Sequence, residues 1–73
     1  MEKEFLNFIA NIMDLDVSEI NLDSRYGEIE AWDSMMHIRL VMEIENEYNI
    51  DIPIDEVPDI DTLKKFYAYI VKG

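Results

Sequence analysis

No cysteine and only one histidine occur among the 73 residues, so neither a disulfide nor a structural zinc site can staple the chain. A core of this size is marginal without such staples and must rest on packing alone. Helices with one apolar face meet that demand with local contacts, and apolar residues recur at helical spacing in three stretches. With 49% hydrophobic residues, the chain is too apolar for a disordered acidic tail.

In residues 2–13, Phe5, Phe8, Ile9 and Ile12 stand at i, i+3, i+4 and i+7, and Glu2 and Glu4 lie where a helix dipole favours negative charge. In residues 34–48 a second helix is predicted, with Asp33 as its N-cap and His37, Leu40, Val41, Ile44 and Tyr48 as its core stripe. Met35, Ile38 and Met42 form another stripe beside it, more apolar surface than a helix of a small bundle needs to bury. Asp61 or Thr62 caps a last helix whose Leu63, Phe66, Tyr67 and Ile70 share a face. Pro53 and Pro58 bracket a piece with room for one or two helical turns. Between Asp14 and Asp33 lies a long polar loop in which Val17, Ile20, Leu22, Tyr26 and Ile29 are spaced as pins onto the core. The expected fold is therefore all-α, one domain over residues 1–73: three main helices, one short helix and a long first loop.

A formal net charge of −11 argues against nucleic acid and anionic membranes, which require clustered cations. Charged partners should be basic, and a monomer is expected. No apolar run approaches the roughly 18 residues of a membrane span. The opening Met-Glu-Lys-Glu lacks a signal peptide's character, so a cytoplasmic location is expected.

Catalytic and metal-binding constellations are missing. Without a second histidine or a cysteine, no Ser-His or Cys-His pair can divide the work of base and nucleophile, apart from a chance approach of His37 to Ser34. Asp14, Asp16 and Ser18 begin a calcium-loop pattern, but Glu19 stands where it needs glycine and Arg25 where it needs glutamate. Two glycines in the whole chain leave no phosphate-cradling loop.

What remains is Asp33-Ser34-Met35 opening the most apolar helix, after a long loop and before an Ile-Asp-Ile-Pro segment. In this order of elements, over essentially the whole chain, the sequence resembles the acyl carrier protein family and its small four-helix bundle. The resemblance implies that Ser34, with Asp33 as its motif partner, receives 4′-phosphopantetheine covalently from coenzyme A, and that acyl or aminoacyl groups travel on that arm as thioesters. The chain itself would have no catalytic site. Implied partners are a phosphopantetheinyl transferase and acyl- or aminoacyl-loading and acyl-processing enzymes with basic docking surfaces. Met35, Ile38, Arg39, Met42 and Glu45 would form the partner-binding face, with Trp32 anchoring the loop.

The pattern departs from fatty-acid carriers at Ala31, Trp32, Met35, Met36 and Arg39, and Trp-Asp-Ser-x-x-His-Ile looks more like discrete carriers of polyketide, peptide-natural-product or cell-surface sugar pathways. Two alternatives stay open: a peptidyl or aminoacyl carrier of a natural-product pathway, and a small acidic helical adaptor in which Ser34 is an ordinary first-turn residue.

Overall fold

A computed structural model describes residues 1–72 and contains three α-helices: α1 (Glu2–Met13), α2 (Ser34–Tyr48) and α3 (Leu63–Lys72). The all-α class and the helix placements agree with the periodicity. Short 3-10 helices occupy Val17–Glu19 and Val57–Asp59. The second of these stands in the region of the expected short helix, but it contains Pro58 instead of ending before it. Proline fits there because the first turn of a helix makes no use of that N–H. Among the described residues, no helix is long and apolar enough to cross a membrane.

The core is centred on Phe5, Ile9, Trp32, Leu40, Ile44, Leu63 and Phe66, all fully buried. On α1 the buried face is Phe5, Ile9, Ala10 and Met13, while Phe8 and Ile12 are half-buried at its edge. The apolar stripe is therefore rotated towards Ala10, whose small side chain lets neighbouring elements approach. On α2 the stripe is as expected through Ile44, with Tyr48 half-buried. Both helices stop in left-handed caps, Asp14 at φ 59° and Asn49 at φ 54°, residue types whose short polar side chains tolerate that conformation.

The long loop is tied down at both ends. Asp16 accepts the Ser18 N–H at 3.0 Å and Glu19 accepts the Asp16 N–H at 3.0 Å, so acids that begin a calcium-like pattern instead form a capping box around the first 3-10 helix. Ile20 is buried and Leu22 and Ile29 pack against the core. Gly27, at φ +92°, occupies the third position of the turn closed by Glu28 N–H to the Arg25 carbonyl at 3.1 Å, where a side chain would be strained. Farther on, the Leu63 N–H donates to the Ser24 carbonyl and the Lys64 N–H to the Leu22 carbonyl, at 3.2 and 2.8 Å. The Thr62 hydroxyl accepts the Lys65 N–H at 3.2 Å, which resolves the choice of cap. The first N–H groups of α3 are thus filled, two of them by the loop.

Candidate functional site

The start of α2 is arranged differently from the start of α3. Asp33 adopts extended backbone geometry and its carboxylate accepts the Met36 N–H at 2.8 Å, the N-cap expected from the sequence. The Asp33 carbonyl takes the His37 N–H at 2.8 Å. The N–H groups of Ser34 and Met35 precede the first intrahelical bond and have no acceptor within the helix. No acidic residue lies in this first turn, whereas α1 begins with Glu2 and Glu4. Of the long helices, α2 therefore presents the most open positive end.

Ser34 is exposed on that turn. The other two serines are tied into the loop: Ser18 donates its hydroxyl to Asp16 at 3.0 Å, and Ser24 accepts the Asn21 N–H at 2.9 Å. The Ser34 hydroxyl takes part in no side-chain hydrogen bond among the described residues. His37, three residues on, is turned inward and is not available as a base, because both of its ring nitrogens are engaged.

Those engagements were not foreseen from the sequence. Trp32, buried to 1% exposure, donates its indole N–H to His37 Nδ1 at 3.0 Å, and His37 Nε2 lies 2.9 Å from the Val57 carbonyl. Tyr26 packs edge-on against both rings. Trp32 is thus the loop anchor expected of it. The detectable signal was chemical: a buried indole needs an acceptor, and His37 is the polar member of the core stripe.

Beside Ser34 opens a cleft of about 310 Å³, walled by Tyr26, His37, Ile38, Val57, Ile60 and Asp61. At its rim Asp61 is held below the ordinary carboxylate range, chiefly by the Lys65 ammonium 2.9 Å from its Oδ1 and secondarily by the charge of Arg25. A second groove, of about 500 Å³, continues along α2 past Met42, Ile52 and Ile54 and shares Ile38, Val57 and Pro58 with the first. Sequence reasoning missed the 52–61 wall because it comes to lie against Ser34 and Ile38 only through folding.

The surplus stripe on α2 is exposed: Met35 at 82%, Ile38 at 53% and Met42 at 59%. Arg39 lies on the same open side and pairs with Glu43 at 3.5 Å. Glu45 is placed differently. It is half-buried and accepts the Ile52 N–H at 2.8 Å, so its carboxylate fastens the segment after α2 to the helix.

The site suits a phosphodiester on Ser34. An exposed hydroxyl free of protein bonds, two unfilled N–H groups and a first turn without acids are what such an anion requires, and the Asp33 carboxylate is occupied by Met36.

The family described as "Phosphopantetheine attachment site" matches residues 3–70. The chain is 39% identical over 70 residues to the acyl carrier proteins of Rickettsia canadensis (strain McKiel) and Rickettsia massiliae (strain Mtu5). It is 37% identical to that of Rickettsia typhi (strain ATCC VR-144 / Wilmington). Each alignment covers 96% of this chain and 81% of the relative. The chain belongs to the acyl carrier protein family, carriers with a phosphopantetheine attachment site and not catalysts.

Proposed function

We propose that Ser34 bears the 4′-phosphopantetheine and that residues 1–73 work as one carrier domain, presenting acyl groups to successive enzymes. The observation that carries this reading is the pairing of an exposed, unengaged Ser34 hydroxyl with the open N-terminus of α2. When attached, the arm supplies a terminal thiol on which an acyl or aminoacyl group is held as a thioester. Asp33 fixes the turn, the Ser34 and Met35 N–H groups offset the phosphodiester charge, and the exposed hydroxyl gives access to the transferase.

Family membership brings a pantetheinyl transferase and acyl-processing enzymes as partners. For their docking surface we assign Met35, Ile38 and Met42 as the apolar contact and Glu43 and Arg39 as its charged border. Glu45 acts there through the Ile52 segment it secures. Arg39 interrupts an acidic surface, which favours partners carrying an acid opposite it and supports a pathway other than housekeeping fatty-acid synthesis. The coenzyme A source of the arm and the strongly acidic charge suit a monomeric carrier in the cytoplasm.

Incubation with coenzyme A, Mg²⁺ and a broad-specificity phosphopantetheinyl transferase should add one arm to the folded chain, read by intact mass. Ser34→Ala should remain helical by circular dichroism and accept none. A wild-type chain that no such transferase modifies would leave the adaptor reading in its place.

A further inference from the structure

The opposite end of α2 carries a groove that the attachment site does not use. It has a volume of about 550 Å³ and lies where α1, the last turn of α2 and α3 meet. Residue Tyr48 ends the 15-residue α2, so the groove lies roughly 20 Å along the helix axis from Ser34. Its walls include Phe8, Tyr48 and Tyr67, all only half-buried. Phe8 meets Tyr48 edge-on at 5.8 Å between centroids, which leaves aromatic surface open to the groove.

The polar groups there favour a cation. Glu4 and Glu47 stand at the rim and Asn7 and Asn11 add carboxamide oxygens. Burial raises the Tyr48 phenol first, and the neighbouring charges of Glu47 and Glu4 raise it further. The Met1 amine at the groove's edge stands 3.7 Å from Glu4, with both groups more than two-thirds exposed, so solvent screens that pair.

We propose that this groove docks a partner protein through an arginine side chain. A guanidinium can stack on an aromatic ring while its fork of N–H groups reaches carboxylate and carboxamide oxygens, and it loses hydration more readily than an ammonium. A lysine would satisfy the charge alone. The volume exceeds one guanidinium, so flanking residues of the partner segment enter as well. Because the groove is remote from Ser34, a partner held there leaves the serine end free for other enzymes, and the carrier can be retained while its arm is served.

The test is an amide NMR titration of the full chain with acetyl-Gly-Arg-Gly-Arg-Gly-amide, beside the same peptide carrying lysine or citrulline. The arginine peptide should give saturable shifts centred on Asn7, Phe8, Asn11, Tyr48 and Tyr67. The lysine peptide should bind several-fold more weakly and the citrulline peptide should give no response. Glu47→Gln, an exposed change that leaves the fold alone, should weaken arginine-peptide binding by roughly two- to fivefold, the worth of one partly exposed ion pair. Shifts spread evenly over Glu28, Glu30, Asp51 and Asp55 would instead mark general attraction to an acidic chain and overturn the proposal. Equal binding of the lysine peptide, or indifference to Glu47→Gln, would overturn it too. Ser34→Ala should give the wild-type titration, so the outcome does not depend on the attachment site.

Discussion

The indole nitrogen of Trp32 lies 3.0 Å from His37 Nδ1. An indole N–H can only donate, so Nδ1 accepts and the imidazole hydrogen sits on Nε2, from which it is donated to the Val57 carbonyl at 2.9 Å. One neutral side chain therefore joins the end of the long loop, the first turn of α2 and the 3-10 helix that walls the cleft. The Ser34 turn is held from inside the core, which lets its outer surface stay free of stabilising contacts.

Replacing Trp32 by Phe keeps an aromatic ring but strands His37 Nδ1. The expected loss is about 1–3 kcal/mol from the unsatisfied acceptor, with a further loss from the smaller ring. Urea unfolding of Trp32→Phe, His37→Phe and the double variant separates the two effects. Their coupling should exceed about 0.5 kcal/mol; additive losses would mean that the two side chains merely pack.

Opposite limbs of the pH–stability curve should respond to different residues. Asp61 has a folded pKa below its ordinary value of 3.8, chiefly through Lys65. Its contribution is therefore present above that ordinary value and disappears as pH falls through the lowered one. Tyr69 donates its hydroxyl to Glu56 and is pushed up to about 12 from 10.0, so its contribution is present below pH 10 and fades as pH rises towards 12. Urea midpoints across pH should show Asp61→Asn flattening the acid limb only and Tyr69→Phe flattening the alkaline limb only. Unchanged limbs in both variants would contradict these assignments.

The exposed apolar residues of α2 should separate docking from stability. Met35→Ala, Ile38→Ala and Met42→Ala should each keep the unfolding free energy within about 0.5 kcal/mol of wild type. At least one should slow arm transfer or acyl loading by roughly fivefold or more, the behaviour of an interface anchor. Arg39→Glu should retain the fold and exchange partner preference, strengthening association with fatty-acid-type enzymes while weakening the native one, as read by binding at two salt concentrations. If none of these variants alters any partner reaction, the face is only solvated surface.

Much of this was legible before folding because the signals are local. Helical period placed α1, α2 and α3, the Asp33 cap is a one-turn interaction, and the excess of apolar positions on α2 marked Met35, Ile38 and Met42 as a face without a core partner. Long-range relations were not legible. Nothing in the spacing of Leu22 and Ser24 announces that their carbonyls fill the N-terminus of α3. The wall of Val57, Pro58 and Ile60 also gains its meaning only from lying against Ile38 and Ser34. Glu45 reads as a surface acid in sequence and is a backbone acceptor for Ile52 in the fold, because the chain reverses after the left-handed Asn49.

We assign the attachment of the arm to one hydroxyl, that of Ser34. Ser18 and Ser24 are the other serines, and the structure engages both in the loop. The most direct measurement is fragment-ion mass spectrometry of the chain after reaction with coenzyme A and a phosphopantetheinyl transferase, which locates the added group residue by residue. Every modified fragment should contain Ser34, and none should assign the group to Ser18, Ser24 or Thr62. Modification mapped to any of those three, or an arm still accepted by a folded Ser34→Ala chain, would contradict it.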